Sequence, residues 1–345
     1  MIKVSLLIPV YNVEASLDSC LDSAEKQTLK EIEIICVDDG STDHSPEILK
    51  YHAARDPRII LLRHEQNKGL FSARKTAAEK AAGQYLMFLD SDDTLDPTAC
   101  ETAWQKIKNH QADIFHFGTR IIPGKNVSWR NQMILRKFIR PYKGFLEHEK
   151  IFFSCFGQHS NYDHCLCNKI FSSALCRKTY TLLPEISLTV YEDLYLYFAI
   201  ALLATRYYGE NIPLYNYQLV SGICSGTTQK LSVKQFKQYC ATSQIAEHLQ
   251  EVLILLKRTD PSYRQTLYWV HANILSTCFE KFYQMQSPEE WKDLFVQSWF
   301  HKDRFLFEAT SSIIGRYQES LSVKLGLFLT WIPRKILTIL TGRLY

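Results

Sequence analysis

Tyr85-Leu86-Met87-Phe88-Leu89-Asp90-Ser91-Asp92-Asp93 is an apolar run that stops abruptly at three carboxylates. Such a run suits a central strand buried on both faces, as in a parallel sheet. Asp90, Asp92 and Asp93 then fall at its carboxyl end, the edge where open α/β sheets take their ligands. Like charges this close repel unless neutralised. An oxygen-only cluster suits a hard cation, Mg²⁺ or Mn²⁺, carrying a phosphorylated ligand. Taken alone, the motif reads equally as an acidic turn in which Asp92 or Asp93 caps a helix near Pro97.

Outward from this run, short apolar strands alternate with helical patterns. Residues 4–12 form a strand running into a polar turn, followed by a helix carrying Leu17, Cys20 and Leu21 at helical spacing. Residues 32–37 form a second strand ending in Asp38-Asp39-Gly40-Ser41-Thr42-Asp43, ahead of a helix over 45–55 whose first turn suits Pro46. Residues 59–62 are a third strand. Asn67-Lys68-Gly69 then leads into an Ala- and Lys-rich helix running to Gly83, which fits a helix C-cap. This alternation predicts a parallel, doubly wound sheet with three polar clusters along one edge.

Bulk properties bound the rest. At 345 residues and 46% apolar composition the chain can bury one large domain and a smaller one. A net charge of +4 is too weak to argue for a nucleic-acid partner. The ten cysteines form no regular C-x-x-C pairs, and the amino terminus enters a strand with no signal-peptide pattern; both predict a cytoplasmic location with reduced thiols. No run reaches the roughly 18 to 20 apolar residues that cross a bilayer.

Four stretches in this order, S-L-L-I-P-V-Y-N-V-E (5–14), V-D-D-G-S-T-D (37–43), N-K-G-L-F-S-A-R (67–74) and F-L-D-S-D-D (88–93), resemble the family 2 glycosyltransferases of the GT-A fold. The likeness is clearest over 1–100, weaker over 160–226 and slight beyond. It implies a GT-A doubly wound mixed sheet with a C-terminal helical appendage. The implied division is a transferase domain over 1–226, with a nucleotide-sugar half (1–100) and an acceptor half (101–226), then a helical region over 227–345. The resemblance further implies that Pro9, Tyr11, Asn12, Glu14, Ser41, Asn67, Gly69 and Ser91 line the nucleotide-sugar pocket. Asp39 would accept from the uracil N3, Arg74 would face the sugar or the diphosphate, and Asp90 would hold ribose or the donor sugar. Asp92 is the implied ligand of Mn²⁺ or Mg²⁺, which offsets the leaving group's charge as a Lewis acid. Lys75 departs from the family, which often has Asn there. The rival reading is a dinucleotide-binding domain with Asp38 and Asp39 as ribose-binding acids, but no G-x-G-x-x-G follows the first strand.

The acceptor half is less regular. Residues 112–117 alternate as a strand containing His116, and 130–142 read as a basic solvated face or an acceptor-side lid. His164, Cys165 and Cys167 are zinc-ligand types, but no second pair follows at a suitable spacing. Within the resemblance, C-N-K-I-F at 167–171 matches a W-N-K-[LI]-[YF] stretch with Cys167 for Trp, implying acceptor contacts for Asn168 and Lys169. Glu192 and Asp193 precede an apolar helix over 194–203, where the helix dipole favours negative charge. Alone, the pair reads as a capped core helix. Beside the donor motifs it looks like the family's E-D pair, which makes Asp193 the catalytic base and Glu192 the residue orienting the acceptor. Tyr191 stands where the family usually has Gly and is expected to stack on an acceptor ring, while Gln218 replaces a common Arg. The S-G-I-C-S-G stretch at 221–226 is either a loop folding over the donor or a plain linker.

Beyond it, residues 233–256, 263–283 and 288–300 carry helical spacing. The 321–345 stretch combines Trp331 and many aliphatic residues with Lys324, Arg334, Lys335 and Arg343. It reads as a basic amphipathic helix that either lies on an anionic membrane surface or packs in a core or homodimer. The expected function is inverting transfer of a sugar from a nucleotide-diphosphate donor, a UDP-sugar, to a hydroxyl of a glycan or lipid-linked acceptor at the cytoplasmic face of the inner membrane. Two alternatives come from other classes: a non-catalytic glycan- or nucleotide-binding scaffold on a degenerate transferase fold, and a sugar-phosphate nucleotidyltransferase.

Overall fold

A computed structural model describes residues 1–124, 129–186, 191–219 and 245–283. The chain divides into two compact units, Met1–Thr227 with His248–Arg258, and Thr228–Glu247 with Thr259–Tyr345. The 221–226 loop, the 288–300 helix pattern and the basic 321–345 stretch lie outside the described residues.

The first unit opens with β1 (Val4–Val10), α1 (Glu14–Glu25), β2 (Ile32–Asp38), α2 (Ser45–Arg55), β3 (Ile59–Arg63), α3 (Leu70–Lys80) and β4 (Tyr85–Phe88). It continues through β5 (Thr94–Leu95), α4 (Ala99–Asn109), β6 (Ile114–Pro123), α5 (Trp129–Phe138), β7 (Gly144–Glu147) and α6 (Glu149–Phe156). β8 (Lys169–Ser172), α7 (Ser173–Leu182), α8 (Glu192–Leu203) and β9 (Arg206–Leu219) complete its run up to residue 219, and α9 (Ile245–Leu255) belongs to it from His248 onward. In the second unit the described element is α10 (Pro261–Tyr283). Among the described residues no helix is long and apolar enough to cross a membrane.

The strands form one mixed sheet in the order β3-β2-β1-β4-β8-β6-β9-β5, with β7 paired to β9. β1 runs parallel to β2 and β4, and β2 runs parallel to β3. β8 is antiparallel to both its neighbours, β4 and β6. Every residue of β1 and β2 is buried, as are Leu86, Met87 and Phe88 of β4. Burial of each large apolar side chain contributes about 1.5–3 kcal/mol, which explains why a run without alternation occupies the middle of the sheet.

Two local expectations change. α3 ends at Lys80, and Gly83 is not its C-cap; a Cβ on Gly83 would meet Ser5 Oγ at 2.6 Å and Ser5 N at 2.7 Å, so the glycine lets the chain pass close to β1. Asp92 and Asp93 cap no helix. The N-cap of α4 is Thr98, whose backbone N–H and hydroxyl both donate to Asp96 Oδ1.

A fully buried ionic cluster ties β6 to β8. Asp163 accepts from Lys169 Nζ at 3.0 Å, from Asn168 Nδ2 and from the backbone N–H of Cys165. Lys169 also donates to Cys165 O and Asn168 Oδ1, so all three ammonium protons are used. His116 Nε2 lies 3.3 Å from Asp163, and its Nδ1 faces the Tyr207 hydroxyl at 2.9 Å. Burial alone would raise Asp163, but the charges of Lys169 and His116 hold it well below the usual carboxylate range. Burial first, and the Lys169 charge second, lower His116 from 6.5 to about 4.

Lys169→Met, which strands a buried carboxylate, should cost about 3–5 kcal/mol in chemical denaturation. Between pH 6.5 and 4 the unfolded chain binds a proton at His116 that the folded chain refuses. The stability advantage of wild type over His116→Gln should therefore be constant above pH 6.5 and shrink as pH falls towards 4, read from denaturation midpoints across that range.

Candidate active site

Three loops meet at the carboxyl edge of β1, β2 and β4. The turns after β1 and β2 are joined reciprocally: the backbone N–H groups of Asn12, Val13 and Glu14 donate to Ser41 Oγ, Ser45 Oγ and Asp43 Oδ2. In return Thr42 N and His44 N donate to Asn12 Oδ1 and Glu14 Oε2. Asp39, 3% exposed, takes His64 Nδ1 at 2.6 Å and the N–H groups of Lys68 and Gly69 at 2.9 and 2.8 Å. Its carboxylate therefore shapes the 67–69 loop. Gly40 sits at φ +77°, where a Cβ would meet Asn67 N at 2.9 Å, so these two loops touch backbone to backbone.

At the end of β4 the carboxylates take different partners. Arg74, on α3 and 3% exposed, donates through Nη2 to Asp90 Oδ1 at 2.7 Å and through Nη1 to Glu192 Oε1 at 2.8 Å. Its Nε is buried without a hydrogen-bond partner among the described residues. Asp90 Oδ2 accepts from the Cys167 thiol at 2.9 Å. Asp93 is buried, accepting from the Tyr215 hydroxyl and the Gln218 backbone N–H, both at 2.6 Å. Desolvation, then the charges of Asp92 and Asp90, push Asp93 up to about 8. Asp92 is the exposed member. Partial desolvation by its surroundings, followed by the Asp90 charge, lifts its carboxyl to about 6, and among the described residues it forms no ion pair. An uncompensated oxygen donor of this kind fits a hard divalent cation completed by phosphate and water oxygens. Among the described residues the three-ligand group with metal-binding spacing lies elsewhere, at Asp22, Glu25 and His52 on α1 and α2. The His164–Cys167 stretch makes no such group among the described residues.

Glu192 and Asp193 open α8. Burial and then the Asp193 charge push Glu192 up, against the pull of Arg74. Burial also raises Asp193, which stays half-exposed while Glu192 is closed off at 7%. Tyr191 precedes them at φ 68°, a left-handed conformation that explains the preference for glycine at such a place and costs about 1–3 kcal/mol here.

Arg74, Asp90, Glu192 and Asp193 thus converge, with Asp92 beside Asp90. Tyr11, Asn12, Glu14 and Asn67 are exposed on the neighbouring turns, Gly69 is half-buried, and Ser41 and Ser91 are buried. Pro9 is buried within β1. Three expected acceptor contacts are corrected. Asn168 and Lys169 are 2% and 0% exposed with their side chains committed to Asp163, so neither presents a donor to a ligand. Glu192 faces Arg74 and holds the guanidinium, a different task from orienting an acceptor. Sequence reading missed Cys167 as a partner of Asp90 and Tyr215 as a partner of Asp93. The separation of 122 positions between Asp93 and Tyr215 leaves no local signal, although Cys167 in place of Trp marked its position as unusual.

Residues 5–165 match the family model described as glycosyl transferase family 2. The chain is 47% identical over 112 residues to glycosyltransferase GlyA of Streptococcus pneumoniae, covering 32% of this chain and 16% of that protein. It is 42% identical over 115 residues to the glycosyltransferase EpsJ of Bacillus subtilis, covering 33% of each. It therefore matches a third or less of these relatives' lengths. Among solved structures, Staphylococcus aureus TarS 1–349 in complex with UDP superposes with a TM-score of 0.64 at 18% identity, covering 90% of this chain and 83% of that one. A Pyrobaculum calidifontis mannosyltransferase in complex with GDP-Man and Mn²⁺ gives 0.51 at 14% identity, covering 90% and 87%. At these identities the solved structures share the fold with this chain. The fold, the ordered carboxylate motifs and the family model agree over one stretch: residues 5–165 match glycosyl transferase family 2.

Proposed function

We propose that this chain is an inverting glycosyltransferase moving a sugar from a UDP-sugar to a hydroxyl of a glycan or lipid-linked sugar. The observation that carries this reading is the Arg74 bridge, in which one guanidinium joins Asp90 at the end of β4 to Glu192 at the start of α8. Uridine is supported by the TarS complexes with UDP and UDP-GlcNAc, and a divalent ion by the mannosyltransferase complex with Mn²⁺. A glycan acceptor is supported by relatives such as the chondroitin synthase of Escherichia coli, 43% identical over 98 residues. Peripheral attachment through 321–345 rests on the composition of that stretch alone.

Pro9 near the end of β1, Glu14 at the start of α1, and the turns carrying Tyr11, Asn12, Asp39, Ser41, Asn67, Gly69 and Ser91 surround the nucleoside, and Arg74 with Asp90 faces its sugar-diphosphate end. Asp92 would hold Mn²⁺ or Mg²⁺, which when bound offsets the charge developing on the departing nucleoside diphosphate. Asp193 accepts the proton of the acceptor hydroxyl as the new C–O bond forms and the bond to phosphate breaks, its electron pair leaving with the diphosphate. The raised pKa of the half-exposed Asp193 makes it a better base than a free carboxylate. Glu192 keeps the guanidinium in place. Attack from the face opposite the leaving group inverts the anomeric carbon.

A panel of UDP- and GDP-sugars with Mn²⁺ tests the donor class. Asp193→Asn should lower transfer by about 10²–10⁴-fold while UDP still binds; undiminished transfer would overturn the base assignment. Asp92→Asn should abolish the gain in UDP affinity that Mn²⁺ gives wild type, measured by calorimetry. Arg74→Met should cost about 3–5 kcal/mol of stability by leaving Glu192 buried and unpaired, and Glu192→Gln added to it should restore part of the loss.

A further inference from the structure

The site holds a thiol that the reaction above does not use. Cys167 Sγ donates to Asp90 Oδ2 at 2.9 Å, while Arg74 Nη2 takes Oδ1 of the same carboxylate at 2.7 Å. Asp90 is thereby gripped on both oxygens, by a cation from α3 and by a neutral donor from the segment entering β8. Burial first, then the Asp90 charge, push the Cys167 thiol well above its ordinary value, so it stays protonated and acts as a hydrogen-bond donor.

The segment bearing this thiol is itself anchored. Its neighbours Asn168 and Lys169 are fastened to buried Asp163, and Asn168 O accepts from Phe117 N at 3.0 Å. On the other side, Asp90 N points at the Tyr215 hydroxyl, which also holds Asp93. Neither partner of the thiol contact is therefore free to drift. A carboxylate with one tethered oxygen still turns about its last torsion, whereas one tethered at both oxygens does not.

We infer that Cys167 is a positioning residue for the donor nucleotide: its thiol and Arg74 together lock the Asp90 carboxylate in a single orientation. This rests on the transferase reading and specifies how the residue facing ribose or sugar is held. A serine hydroxyl at 167 still donates, over a shorter reach, whereas alanine leaves Oδ2 to water. If Cys167 mattered only as a small side chain that leaves room, alanine and serine would behave alike.

The test is calorimetric titration of the full chain with UDP in Mn²⁺, for wild type, Cys167→Ala, Cys167→Ser, Asp90→Asn and the Cys167→Ala/Asp90→Asn pair, with melting curves confirming that each is folded. Loss of one hydrogen bond to a charged group predicts about tenfold weaker UDP binding for Cys167→Ala. Cys167→Ser should recover most of it, and Cys167→Ala should have little effect once Asp90 is already Asn. In transfer assays the alanine variant should raise the donor KM more than it lowers kcat. Equal UDP affinity in wild type and Cys167→Ala overturns the inference alone, as does an undiminished alanine effect in the Asp90→Asn background. A wild-type chain that binds no nucleoside diphosphate overturns the transferase reading and this inference with it.

Discussion

The buried Arg74 guanidinium is the interaction on which the site depends. Asp90, Glu192 and Asp193 gather within electrostatic reach of one another, and Arg74, 3% exposed, is the positive charge set directly among them. Moving a guanidinium out of water is expensive, and its attraction to carboxylates repays that cost only when the geometry is close and hydrogen-bonded. Both pairings meet the condition, at 2.7 and 2.8 Å. Because the two carboxylates come from β4 and α8, the same contact that tolerates a buried charge also fixes the two halves of the first unit against each other.

The topology of the sheet makes that contact available. β8 is inserted antiparallel between β4 and β6, so the segment before it passes beside the end of β4. That segment brings the Cys167 thiol to Asp90, and the Asp163–Lys169 pair behind it secures the approach. A buried ion pair is weak evidence for net stability. Here all three lysine protons are used, and they join the residues of the 163–169 segment to one another.

Two of the left-handed residues lie at the same rim. Asn12 and Tyr191 both have positive φ, at 51° and 68°, at the turn after β1 and at the start of α8. Left-handed conformations in residues with side chains persist where the surroundings impose them, and each of these sits at the entrance to a segment bearing candidate site residues.

The amino-acid sequence alone determined the elements and the edge. The apolar run ending in Asp90 is a strand buried by its own composition, and the polar turns after β1, β2 and β4 follow from where those runs stop. The four ordered stretches likewise disclosed the family, because each motif is contained within a few consecutive residues. Tertiary structure alone decided the partners. Asn168 and Lys169 have the chemistry of ligand-binding residues, yet they turn inwards because β8 is buried between two strands and Asp163 waits there. Asp93 looks like Asp92 in sequence, but Tyr215 on β9 claims one and leaves the other exposed. Periodicity and turn chemistry act over a handful of residues, whereas the Tyr215–Asp93 contact joins positions 122 apart, and the inward turn of Asn168 and Lys169 follows from the burial of β8 between β4 and β6.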